Sequence, residues 1–145
     1  MSKRLPKMCG FQAAGSAPIV LGRVVEDPQT IATAIKIGNP YSWKSAEAAR
    51  DESKGVIEAV TDDEILEAYQ LLASSEGIFC EPASAASLAG VIKKNKENYF
   101  VDGERRVVCT LTGHGLKDPD RAVSLSGKPH VVKPELDAIL KVLNL

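Results

Sequence analysis

The fold turns on Gly55-Val56-Ile57-Glu58-Ala59-Val60-Thr61-Asp62-Asp63-Glu64-Ile65-Leu66-Glu67-Ala68-Tyr69-Gln70-Leu71-Leu72. Val56 to Val60 is short and rich in β-branched side chains, which suit a pleated and half-buried surface. Thr61 and Glu64 then form a capping box. The Thr hydroxyl and the Glu carboxylate each satisfy a backbone amide that the first helical turn leaves without a partner. A strand running through such a box into Ile65-Leu66-Glu67-Ala68-Tyr69-Gln70-Leu71-Leu72 is the repeating step of an α/β layer.

Upstream, Ser45-Ala46-Glu47-Ala48-Ala49-Arg50 has helix-favouring composition. Asp27-Pro28 predicts a helix start, with Ile31, Ala34 and Ile35 at i, i+3, i+4, stopped by Gly38-Asn39-Pro40. Before it, Lys7 to Ala14 reads as extended and Gly15-Ser16-Ala17-Pro18 as a small-residue corner. Ile19-Val20-Leu21-Gly22 is a short apolar run whose period does not separate strand from helix, and a strand entering a turn is favoured.

Downstream, Gly77 leads into Ile78-Phe79-Cys80, and Glu81-Pro82 starts a helix over Ala83 to Ile92 whose first turns carry only small side chains. Such a surface lets a neighbour or a ligand approach the backbone closely. Lys93 to Glu104 is polar, with Asp102-Gly103 as its turn. Arg106-Val107-Val108-Cys109-Thr110-Leu111 reads as the clearest buried strand and runs directly into Thr112-Gly113-His114-Gly115. Pro134 to Leu143 is amphipathic, with Leu136, Ile139, Leu140 and Leu143 on one face. Helices alternating with short apolar strands predict an α/β fold, three-layer αβα with a mainly parallel sheet. Neither an internal repeat nor a low-complexity tract interrupts it.

Composition narrows the function. The 145 residues are 44% hydrophobic and 26% charged, close to the globular average and far from disordered or fibrous classes. Eighteen basic against nineteen acidic side chains leave a charge of -1, which offers no broad footprint for nucleic acid or an anionic membrane. Apolar stretches break well before the roughly 20 residues of a membrane span, and the start lacks a signal-peptide core, so a cytoplasmic or organellar setting is expected, the cytoplasm first. Cys9, Cys80 and Cys109 lie far apart, without the spacing of a disulfide framework or a zinc ribbon, and read as buried thiols. His114 and His130 have no ligand-spaced neighbours, so no metal is expected.

Ligands of open α/β sheets sit outside the carboxyl ends of strands, which makes Thr112 a candidate contact. A plain tight turn explains the following glycine equally well. Glu81 stands at a helix start, where a carboxylate favours the helix dipole whether or not a ligand is present. Glycine-rich dinucleotide or Walker loops are missing.

Several runs together resemble the threonine synthase family. They are Lys7 to Val20 (K-M-C-G-F-Q-A-A-G-S-A-P-I-V), Ile35-Lys36-Ile37-Gly38-Asn39-Pro40, Ser42-Trp43, Gly77 to Gly90 (G-I-F-C-E-P-A-S-A-A-S-L-A-G) and Leu111 to Asp118 (L-T-G-H-G-L-K-D), in the family's order and spacing. The resemblance covers about Leu5 to Leu140, and it is to the C-terminal part of that family. It implies residues 1–145 as a single incomplete α/β domain, the C-terminal part of the large domain of a pyridoxal-phosphate fold-type II enzyme. The implied activity is that of a lyase of threonine biosynthesis, converting O-phospho-L-homoserine and water to L-threonine and phosphate with pyridoxal 5'-phosphate.

The resemblance carries site residues one at a time. Thr112 matches the hydroxyl that bonds the pyridine nitrogen of the cofactor, where a neutral group need not hold the ring protonated. Glu81 matches a residue near the ring's active-site face. Gln12, Ala13 and Ala14 match a small-residue strand end beside the ring, and Gly113 and His114 complete the wall. The family's Schiff-base lysine lies in an S-x-K-D-R-G-like segment, and none of the twelve lysines here has that setting; Lys117 stands in K-D-P. No catalytic residue is therefore expected in this stretch, and the isolated chain is expected to be inactive. Expected partners are the missing N-terminal portion or further copies of the chain, since faces made to pack on upstream elements favour association. Two alternatives stand beside this reading: a non-catalytic small-molecule-binding or interaction module, and a cysteate synthase segment. The T-G-H-G-L-K-D form favours threonine synthase over threonine dehydratase.

Overall fold

Period-2 side-chain alternation sets which residues meet across the sheet. A computed structural model describes residues 5–100, 106–125 and 130–144. In it, β1 (Cys9–Ala13) pairs in parallel with β2 (Val56–Val60), with Phe11 opposite Glu58 and Ala13 opposite Val60. Parallel neighbours need a long crossover. Here it contains α1 (Pro18–Leu21), a 3-10 turn at Thr33–Ile35 and α2 (Trp43–Ser53). Beyond β2 follow α3 (Asp62–Glu76), α4 (Pro82–Lys96), a 3-10 turn at Gly115–Lys117, α5 (Pro119–Leu125) and α6 (Leu136–Leu143).

The capping box that opens α3 is formed. The Glu64 N–H donates to Thr61 Oγ1 at 3.2 Å, and the Thr61 N–H donates to a Glu64 carboxylate oxygen at 2.7 Å. The neighbouring Asp62 ties the crossover to the same helix start, accepting from the Thr30 hydroxyl at 2.6 Å and the Ile31 N–H at 3.1 Å.

Alternation places Phe11, Ala13, Glu58 and Val60 on one side of the β1–β2 pair, and α4 covers that side. The Phe11 ring fills the space that a side chain at Gly90 of α4 would take. From the end of the same helix, Lys94 Nζ reaches Glu58 Oε1 at 2.7 Å. Ala13 and Val60 are fully buried with Ile65 and Ala68 of α3 and Ala85 of α4. Alanines along α4 are what allow α3 and the strands to come this close.

The α/β class and the parallel pairing agree with the sequence reading, as do α2, α3, α4 and α6. Three segments differ. Ile19 and Val20 lie in a helical turn rather than a strand, because Pro18 is pre-set for a first turn and Gln12 Oε1 accepts both of their N–H groups, at 3.0 and 3.2 Å. The helix expected after Asp27-Pro28 shrinks to the 3-10 turn at Thr33–Ile35: Asp27 accepts from the Gln29 side chain, and Thr30 and Ile31 donate to distant Asp62. Arg106 to Leu111 is not in a ladder, and Val107 and Val108 are exposed. Apolar strand residues are buried by neighbouring strands, and among the described residues none lies beside this segment. The Asp102-Gly103 turn lies outside the described residues.

Candidate functional site

Two loops meet where α4 begins. Cys80 and His114 form an isolated antiparallel bridge. The Glu81 N–H donates to the Gly113 carbonyl at 3.0 Å, and the Gly115 N–H donates to the Phe79 carbonyl at 3.1 Å. Phe79 and His114 meet edge to face with ring centroids 5.4 Å apart. The T-G-H-G turn is thereby stitched to the G-I-F-C-E-P run although some thirty residues separate them in sequence.

Side chains complete the junction. Ser84, buried in the first turn of α4, accepts the Gly113 N–H at 2.8 Å, and its hydroxyl lies 3.2 Å from that of Thr112. Thr112 itself is exposed. Glu81 occupies the N-cap position of α4, but its carboxylate makes no cap bond; it turns instead to Lys117, whose Nζ donates to Oε1 at 2.9 Å. The Glu81 side chain is 4% exposed against 59% for Lys117, so a buried carboxylate is neutralised from the surface. Gly113 lies against that carboxylate, with no room for a Cβ. Glu81 thus forms an ion pair in place of a cap bond, because a long carboxylate reaches past the N–H groups to a cation.

Of the expected residues, Thr112, Gly113, Glu81 and His114 are brought together. His114 does not point both ring nitrogens at the site; its Nδ1 accepts the Leu116 N–H at 3.1 Å. Gln12 caps α1. Ala13 is fully buried in the core and Ala14 is exposed, so only Ala14 offers surface to a ligand. Ser84 and Lys117 are site residues that sequence reasoning does not single out. The only signal is their spacing: Ser84 three residues beyond Glu81, one helical turn along, and Lys117 just after the T-G-H-G turn.

Burial raises the Cys80 thiol pKa and also the Tyr69 hydroxyl, on which Cys80 and Asp118 act further in the same direction. Among the described residues no group of three or more His, Cys, Asp or Glu side chains is placed to hold a metal. None of the helices described is long and apolar enough to cross a membrane.

The family model for pyridoxal-phosphate dependent enzymes matches residues 1–113. The chain belongs to that family. Curated relatives carry the name threonine synthase: one from Synechocystis sp. is 54% identical over 142 residues, covering 97% of this chain and 36% of the relative. Another from Mycobacterium leprae is 54% identical, covering 98% and 39%, and one from Methanocaldococcus jannaschii is 48% identical, covering 96% and 36%. The chain therefore spans well under half the length of the relatives it matches. Among solved structures, a T.th. threonine deaminase aligns with a TM-score of 0.51 at 23% identity over 61% of this chain and 34% of that one. Maize serine racemase aligns at 0.50 and 16% over 81% and 38%. At these identities both support the fold alone.

The family's cofactor is an electron sink that stabilises carbanions. The residues present fit one end of it. A pyridine nitrogen accepts a hydrogen bond, and the hydroxyl of Thr112, an exposed residue, can donate one; the Glu81 carboxylate is engaged by Lys117.

Proposed function

We propose that this chain forms the ring-nitrogen wall of a threonine synthase, an enzyme that converts O-phospho-L-homoserine and water to L-threonine and phosphate. The supporting observation is the junction of Thr112, Gly113, Glu81 and Ser84, assembled from the two runs that carry the family resemblance. In this reading Thr112 donates to the ring nitrogen of pyridoxal 5'-phosphate. A neutral donor leaves that nitrogen without a proton of its own, which limits electron withdrawal and tunes the chemistry. Lys117 holds the Glu81 carboxylate away from the same role. Gly113 and Ala14 keep the wall low enough for a flat ring, with Ala13 packed behind.

The reading treats residues 1–145 as one α/β unit in the cytoplasm and assigns the Schiff-base lysine, the phosphate cradle and the substrate-phosphate groups to residues outside this sequence. It also predicts association, with the complementary portion or with further copies. Leu136, Ile139 and Leu143 of α6 are exposed along one face and suit such a contact.

The test is a chimera in which this chain replaces the matching 142 residues of the Synechocystis relative. Phosphate release from O-phospho-L-homoserine with equimolar threonine is the expected result, and Thr112→Asp in the chimera is expected to cut kcat at least tenfold. A folded, cofactor-loaded chimera that forms no threonine counts against the reading.

A further inference from the structure

Ser84 is 2% exposed, yet its oxygen reaches both members of the Thr112–Gly113 pair. A serine hydroxyl has one proton to donate and two lone pairs to accept with. The Gly113 N–H, at 2.8 Å, takes one lone pair. The proton then has two acceptors in range: Thr112 Oγ1 at 3.2 Å and the Gly113 carbonyl at 3.4 Å. That carbonyl already receives the Glu81 N–H at 3.0 Å. The shorter distance and the less occupied acceptor both favour Thr112.

With Ser84 donating, Thr112 Oγ1 is an acceptor on its buried side, and its own proton is directed away from Ser84. Thr112 is an exposed residue, which leaves that proton able to reach a ligand at the surface. The consequence for a pyridine nitrogen is direct. It has a lone pair and no proton, so a threonine that gave its own proton to Ser84 would set lone pair against lone pair.

We infer that Ser84 is a positioning residue that turns Thr112 into an outward hydrogen-bond donor for the cofactor's ring nitrogen. This rests on the reading of Thr112 as the ring-nitrogen contact. Ser84 acts through Thr112 and needs no contact with the ring.

The test uses the cofactor-loaded chimera with two NMR readouts: exchange of the Gly113 amide, and the ring ¹⁵N signal of bound ¹⁵N-labelled pyridoxal phosphate. In wild type the ring signal is expected to move to the more shielded position of a hydrogen-bonded pyridine. In Ser84→Ala the Gly113 amide is expected to exchange about five- to tenfold faster, as the loss of one hydrogen bond implies, and the ring signal to return toward its free position. Thr112→Val should lose the ring signal while leaving Gly113 exchange unchanged. Unchanged Gly113 exchange in Ser84→Ala overturns the inference, and so does faster exchange with a wild-type ring signal, which would make Ser84 merely structural. If wild type and Thr112→Val are equally silent at the ring, the Thr112 contact itself is refuted and the inference falls with it. Should Ser84→Ala unfold, Ser84→Cys, with its weak donor, carries the same two readouts and is expected to fall between wild type and the free state.

Discussion

The Glu81 carboxylate occupies the space that a side chain at Gly113 would need. The obstacle is the charged end of a buried side chain that is itself held by Lys117, so it cannot swing aside without breaking an ion pair. Gly113→Ala is therefore expected to destabilise the chain by about 1–3 kcal/mol, the usual cost of forcing extra volume into a packed site. The denaturation midpoint in urea measures it. A midpoint within error of wild type would show that Glu81 relocates freely.

Lys117→Met tests the pair from its other end. It removes the cation and leaves a buried carboxylate with its main partner gone, for an expected loss of about 1–3 kcal/mol. The exposure of Lys117 holds the figure at this level, since water partly replaces it. Glu81→Gln combined with Lys117→Met is expected to recover part of the loss, because the uncompensated charge is then gone. A double variant no more stable than Lys117→Met alone would show that the charge is not what matters. The comparison is a thermodynamic cycle on urea midpoints.

Sequence reading succeeds where local chemistry decides. The Thr61–Glu64 box, the alanine-rich α2 and the amphipathic α6 depend on neighbours within a few residues, and all three are formed. It fails where distant partners decide. Asp62 captures Thr30 and Ile31 from across the crossover, and the helix expected there does not form. Arg106 to Leu111 has the composition of a buried strand, but a ladder needs a second strand, and the segment itself cannot reveal whether one is beside it. The site follows the same division. Thr112, Gly113 and Glu81 are visible through the family motifs, whereas Ser84 emerges only when α4 and the T-G-H-G turn are seen in contact.

Thiol chemistry gives an independent check on the packing. Cys9 is exposed at the start of β1, contrary to the buried thiol expected there, whereas burial raises the pKa of both Cys80 and Cys109 and so disfavours the reactive thiolate. At pH 8 one thiol, Cys9, is expected to react rapidly with a disulfide reagent, and the other two slowly until denaturant is added. The time course with the native chain, repeated on Cys9→Ser, measures this. A fast phase that survives in Cys9→Ser would mean that the junction around Cys80 opens readily.

Lys94 supplies a pH dependence with a definite sign. Hydrogen bonds from Lys94 to Glu58 and Glu97 raise its pKa above the ordinary lysine value, while the Lys94 bond lowers that of Glu97. A lysine whose folded pKa exceeds its unfolded one contributes stability that is complete below the unfolded value and disappears as pH rises through the folded value. The depressed carboxylate works in the opposite sense: its contribution is present above the unfolded carboxylate value and disappears as pH falls through the folded one. The stability gap between wild type and Lys94→Met is thus expected to be widest and flat through neutral pH, narrowing above the ordinary lysine pKa of about 10.4 and again below the ordinary glutamate pKa of about 4.3. Because the ammonium also sits 4.9 Å from the centre of the Tyr99 ring, part of the gap depends on cation–π attraction. Urea midpoints of the two chains, measured from pH 2.5 to pH 12, test this. A gap that does not change across that range would assign Lys94 a packing role and no electrostatic one.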